Sequence, residues 1–141
     1  MSLDHKVRFI DHTGDIGIQL EADSPEEIFE LSAQTMFEII CPSAKARPLR
    51  QYRIDIKEDD LEQLWVSWLS HLNVLFQTEQ FLLAAIDSIK IENNSLQAVV
   101  NGDSVDPVKH RVELEIKAVT YHKMYIRHDN NRWRAQVIFD I

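Results

Sequence analysis

Hydrophobic and polar positions alternate in short runs near both ends of the chain and fall into helical spacing between them. Val7 to Ile10 and Ile16 to Ala22 favour strands, and in the second run Ile16, Ile18 and Leu20 alternate with Gly17, Gln19 and Glu21. The loop Asp11-His12-Thr13-Gly14-Asp15 separates them. Ser24-Pro25-Glu26-Glu27 then marks a helix start: Ser24 caps, Pro25 suits the first helical position, and Glu27 completes a capping box. The helix is predicted to run to about Ile40, with Phe29, Ala33, Met36, Phe37 and Ile40 on one apolar face. Cys41-Pro42 ends it, because proline steers the preceding residue away from helical geometry. Arg53 to Lys57 reads as a half-exposed strand, and Asp59-Asp60 as the cap of a second helix carrying Leu61, Leu64, Trp65, Trp68, Leu69, Leu72, Leu75 and Phe76. So wide a stripe marks a central packing element rather than an exposed partner face.

The remainder is strand-rich: about Phe81 to Glu92, Leu96 to Val100, Val112 to Val119, Met124 to His128, and Arg132 to the end, with turns at Asn93-Asn94 and Asn130-Asn131. This segregation of helices and strands predicts an α+β fold, with two helices packed on a largely antiparallel β-sheet in a single domain over residues 1–141. Length and composition agree, since 141 residues that are 45% hydrophobic build one sizeable core and leave no room for a second. A net charge of -8 argues against tight, direct nucleic-acid binding. The basic residues Lys45, Arg47 and Arg50, and Arg127, Arg132 and Arg134, are too sparse to form a basic run and read as solvated faces. A single cysteine, Cys41, allows no internal disulfide, and no apolar run approaches the roughly 18 residues of a membrane span. With no signal-peptide pattern at the N-terminus, the expected location is the cytoplasm, without a membrane partner.

Candidate chemistry narrows to carboxylates. Gly14, Gly17 and Gly102 are the only glycines, too few for a glycine-rich nucleotide cradle, and six scattered histidines with one cysteine show no zinc-ligand spacing. Asp140 stands at the end of the apolar run Val137-Ile138-Phe139, beside the terminal carboxylate of Ile141. Together they offer the hard oxygen donors that calcium or magnesium accepts, although an ordinary solvated chain end has the same composition. The loop from Asp11 to Asp15 adds oxygens, or serves only as a turn.

Several segments together resemble the archease family: Asp11-His12-Thr13-Gly14-Asp15-Ile16-Gly17, Trp68-Leu69 with Leu75-Phe76-Gln77-Thr78-Glu79, Lys117-Ala118-Val119-Thr120-Tyr121-His122-Lys123-Met124, and the ending Val137-Ile138-Phe139-Asp140-Ile141. Their order and spacing cover essentially the whole chain. The resemblance implies an accessory protein, not itself an enzyme, that activates a GTP-dependent RNA-splicing ligase in tRNA splicing or RNA repair. In that family the accessory promotes ligase guanylylation and multiple turnover, the nucleotide and manganese chemistry belongs to the ligase, and RNA is met only through it. The resemblance further implies a divalent cation, usually calcium, held by Asp15, Asp140 and Ile141. Lys117 is then expected to approach the acidic cluster or a phosphate-bearing partner site, against the alternative of a solvated strand lysine, and His12 and His122 to orient neighbouring ligands. Gly14 departs from the family pattern, which usually has alanine there, and puts the stiffness of the loop that aims Asp15 in doubt. Two other functions stay open: a metal-dependent hydrolase using the same carboxylates, and a chaperone-like modulator of an RNA-modifying enzyme.

Overall fold

The computed structural model describes residues 6–12 and 14–141, and of Lys6, Asp11 and His12 the backbone alone. The elements run β1 (Lys6–His12), β2 (Asp15–Ala22), α1 (Pro25–Ile40), β3 (Arg50–Lys57), α2 (Leu61–Glu79), β4 (Phe81–Glu92), β5 (Ser95–Ser104), β6 (Ala118–Asp129) and β7 (Arg132–Asp140). Both helices begin at the expected caps. The Ser24 hydroxyl accepts from the Glu27 N–H at 3.2 Å, and the Asp60 carboxylate accepts from the Gln63 N–H at 2.8 Å. Both short turns form as well, because Asn93 with Asn94 and Asn130 with Asn131 take the paired positive φ values of a two-residue hairpin turn, which asparagine tolerates.

All the strand pairs are antiparallel, and they divide into two sheets, β1-β2-β7-β6 and β3-β5-β4. The helices lie against both: α1 packs on β2, β7 and β4, while α2 packs on β6 and on all three strands of the smaller sheet. The expected α+β class therefore holds, with the helices as the joint between sheets. Trp65 and Trp68 are fully buried and lock the helix pair, since Trp65 Nε1 donates to Ser32 Oγ and Trp68 Nε1 to the Phe29 carbonyl, each at 2.9 Å. The second helix's stripe is core, as its spacing predicts.

One expectation fails. Only Ala118 and Val119 of the predicted strand Val112 to Val119 belong to a strand. The backbone from Glu113 to Ile116 bonds to helices rather than to a neighbouring strand: the N–H groups of Glu113 and Leu114 donate to the Ile40 carbonyl, and the Ile116 carbonyl accepts from Asn73 and Gln77. Apolar residues such as Ile116 are there to fill the core, and their alternation mimics a strand.

Gly102 fixes how the smaller sheet closes on the second helix's exit. A Cβ at this position would overlap both the Leu82 carbonyl oxygen and the Phe81 ring. Gly102→Ala is therefore expected to lower stability by about 3 kcal/mol, the upper end for overpacking. Urea denaturation checks this, and a loss under about 1 kcal/mol would contradict the tight fit.

Candidate metal centre

The last strand, β7, lies between β2 and β6, so the chain's final residues sit inside a sheet. Its register sets Asp140 directly opposite Asp15 on one side and Ala118 on the other. The Ile141 N–H donates to the Gly14 carbonyl at 3.0 Å, and the Lys117 N–H donates to the Asp140 carbonyl at 2.7 Å. Because Gly14 and Ile141 occupy a bonded position, Asp15 and Asp140 occupy the adjacent non-bonded one, where opposed side chains approach to about 5 Å. Opposed residues in an antiparallel pair share a face. Ile18, Leu20, Val137 and Phe139 are buried against the helices, so the two aspartates stand on the other face, away from the core.

That outer face is not uniformly wet. Ile138 and Gln136 are buried on it, because β6 leaves its ladder between Thr120 and Tyr125 and the excursion covers them. Lys123, with φ +54°, turns this excursion, and its carbonyl accepts from Gln136 Nε2 at 2.8 Å while Gln136 Oε1 accepts from Gln19 Nε2 at 2.8 Å. A recess results, lined by Ile10, Asp15, His122, Lys123, Gln136 and Ile138. Gly17 lies between two of these residues, and a side chain there would press on Ile10 and Ile138 at 3.3 to 3.4 Å.

Asp15 is half-buried, and its Oδ1 is buried with no hydrogen-bond partner among the described residues. A carboxylate oxygen without a donor is unfavourable when desolvated. A cation would satisfy it, so the donor chemistry fits a hard divalent ion. Among the described residues no three His, Cys, Asp or Glu side chains cluster. Among the described residues the oxygen donors brought together here are the two side-chain carboxylates and the half-buried Ile141, donors of the kind that calcium or magnesium accepts.

Of the other residues singled out, His122 lines the Asp15 recess and is exposed. Lys117 is exposed one residue before β6, makes no ion pair among the described residues, and is tied to Asp140 through its backbone. The His12 backbone pairs opposite Asp15, while its side chain and all of Thr13 lie outside the described residues. Sequence reasoning missed Gln136, whose signal was a lone amide inside the apolar run from Ala135 to Phe139. Gly14 takes φ +84°, the region that favours glycine, with open space around it.

These features define a two-sheet α+β domain in which residues from both ends of the chain converge on one open sheet face. Comparison with known proteins supplies the family: residues 8–141 match the family model described as "Archease protein family (MTH1598/TM1083)", and the chain belongs to the archease family. It is similar to the protein archease of Methanosarcina mazei, 34% identical over 140 residues covering 96% of each chain. The solution structure of Methanobacterium thermoautotrophicum protein 1598 is similar too, with a TM-score of 0.76 and 27% identity over 96% of this chain and 98% of that one. A Thermotoga maritima crystal structure, described as an archease and possible chaperone, shares the fold at a TM-score of 0.58 and 23% identity, covering 94% of each chain. No helix among the described residues is long and apolar enough to cross a membrane.

Gly14→Ala should strain the backbone at the carbonyl that holds Ile141, at a cost of about 1 kcal/mol. The expected signature is faster amide hydrogen exchange at Ile141 in the variant than in the native chain, with β7 residues nearer its centre unchanged. Equal protection at Ile141 in both proteins would show that the left-handed turn is dispensable.

Proposed function

We propose that this archease is an accessory protein that activates a GTP-dependent RNA-splicing ligase, promoting its guanylylation and multiple turnover in tRNA splicing or RNA repair. The observation that carries the reading is the pairing of Asp15 with Asp140 on the open face of the sheet, beside Lys117, which makes no ion pair among the described residues. Such a tip can present charge to a partner, whereas no nucleophile with an adjacent base accompanies it among the described residues. The description of the Thermotoga maritima relative as a possible chaperone is in keeping with action on another protein.

In this reading Asp15, Asp140 and the terminal carboxylate of Ile141 hold a divalent cation, calcium by preference. The bound ion supplies positive charge that cancels the mutual repulsion of these donors. His122 borders the donor Asp15 across the recess and limits its movement. His12, whose backbone pairs opposite Asp15, is assigned the same orienting role in this reading. Lys117, held at the site through its N–H and with no ion pair among the described residues, faces a phosphate-bearing surface of the ligase. GTP and manganese stay with the ligase, RNA is met only through it, and the work is done in the cytoplasm.

Adding the protein to its cognate ligase with GTP, manganese and broken RNA should accelerate guanylylation and allow repeated turnover. Absence of acceleration across a wide concentration range defeats the reading. Phosphoesterase activity of the isolated protein that disappears in Asp140→Ala would instead establish the hydrolase. Asp15→Ala and Asp140→Ala should each weaken calcium binding at least about tenfold, since losing a ligand costs no less than losing a residue that supports one. Thermal unfolding should show both variants folded. One residue added after Ile141 should weaken binding as well, and normal calcium affinity in that extended chain would remove Ile141 from the ligand set.

A further inference from the structure

The second helix carries a polar residue where its spacing calls for an apolar one. Asn73 is 5% exposed, among the buried Leu69, Leu72 and Phe76. Its Nδ2 donates to the Ile116 carbonyl at 2.8 Å, but its Oδ1 is buried without a partner among the described residues. Leucine at this position would leave no acceptor unmade, so helix packing alone does not favour asparagine. One turn later Gln77 Nε2 donates to the same carbonyl at 3.0 Å, and the two amides together use both lone pairs of one oxygen.

The Ile116 carbonyl and the Lys117 N–H belong to a single planar peptide group. On one side that peptide is gripped by Asn73 and Gln77; on the other its N–H donates to the Asp140 carbonyl at 2.7 Å. No rotatable bond lies between its carbonyl and its N–H, so the grip of the two helix amides sets the direction of the N–H that meets the end of β7. The segment just before it has no strand partner and depends on such anchors, the others being Cys41 Sγ to the Arg111 carbonyl and the Glu113 N–H to the Ile40 carbonyl.

We infer that Asn73 and Gln77 are positioning residues for the chain-end site: they fix the peptide between Ile116 and Lys117, which in turn aims Asp140 and sets where Lys117 emerges. The inference rests on the cation site proposed above. Neither amide touches the cation donors, and both act through the one peptide. Removing a supporting partner of this kind typically weakens metal binding about 10- to 100-fold.

The test compares the full chain with Asn73→Leu, Gln77→Met and Gln77→Lys, reading calcium affinity by calorimetry, amide exchange at Lys117, and melting temperature. Asn73→Leu and Gln77→Met should retain the native melting temperature within a few degrees, lose calcium affinity about tenfold or more, and exchange the Lys117 amide faster. Gln77→Lys keeps a donor and should bind nearly as well as the native chain. Should Asn73→Leu fail to fold, Gln77→Met at its exposed position carries the comparison. Native calcium affinity in a folded variant overturns the inference, with or without faster exchange. If the native chain itself binds no calcium, the cation site falls, and unchanged exchange at Lys117 and Ile141 in the variants would then refute the positioning role independently.

Discussion

The pairing of β2 with β7 is the constraint on which the rest of the molecule depends. It brings together strands from opposite ends of the sequence, closes the four-stranded sheet, and gives α1 a surface to cover. Apolar burial sets its register. Ile18, Leu20, Val137 and Phe139 are at most 2% exposed, and each contributes roughly 1.5–3 kcal/mol on burial. Opposing that sum, two carboxylates on directly opposed residues near a surface repel by roughly 1–3 kcal/mol. A slip by one residue would relieve the repulsion but turn the whole apolar set toward solvent. The core thus holds the aspartates together against their own charge.

The same alternation divides the sheet into a helix-facing side and an outer side. On the second side the irregular stretch of β6 matters most, because it takes the place of a missing layer over Ile138 and Gln136. Its attachment is polar: Gln19, Gln136 and the Lys123 carbonyl form a short relay across the strands. His122 is carried on this stretch, so its place beside Asp15 depends on backbone irregularity as much as on residue spacing.

Much of this was legible in the sequence where local chemistry decides the outcome. Ser24 and Asp60 cap as side chains with nearby oxygens do, the asparagine pairs turn, and the tryptophans follow helical spacing into the core. What periodicity could not reveal was partnership. The alternation of residues 112–117 looked like a strand, because nothing local says that the Ile116 carbonyl will meet two helix amides instead. Asp15 and Asp140 illustrate the same gap: each reads as a carboxylate at a strand end, and their common place came from family resemblance before the register displayed it. Asn73 went unremarked because one amide in a broad apolar stripe leaves the spacing intact.

The distance along the chain between paired strands also bears on how the molecule comes to exist. The hairpins β4-β5 and β6-β7 close over two-residue turns and can form early, whereas Gln19 and Gln136, bonded across β2 and β7, are 117 residues apart. Contacts so remote in sequence carry the largest loop-closure entropy and are gained late in folding. Assembly of the aspartate pair is therefore coupled to completion of the native chain topology, and a trapped intermediate with every helix formed would still display its two carboxylates far apart.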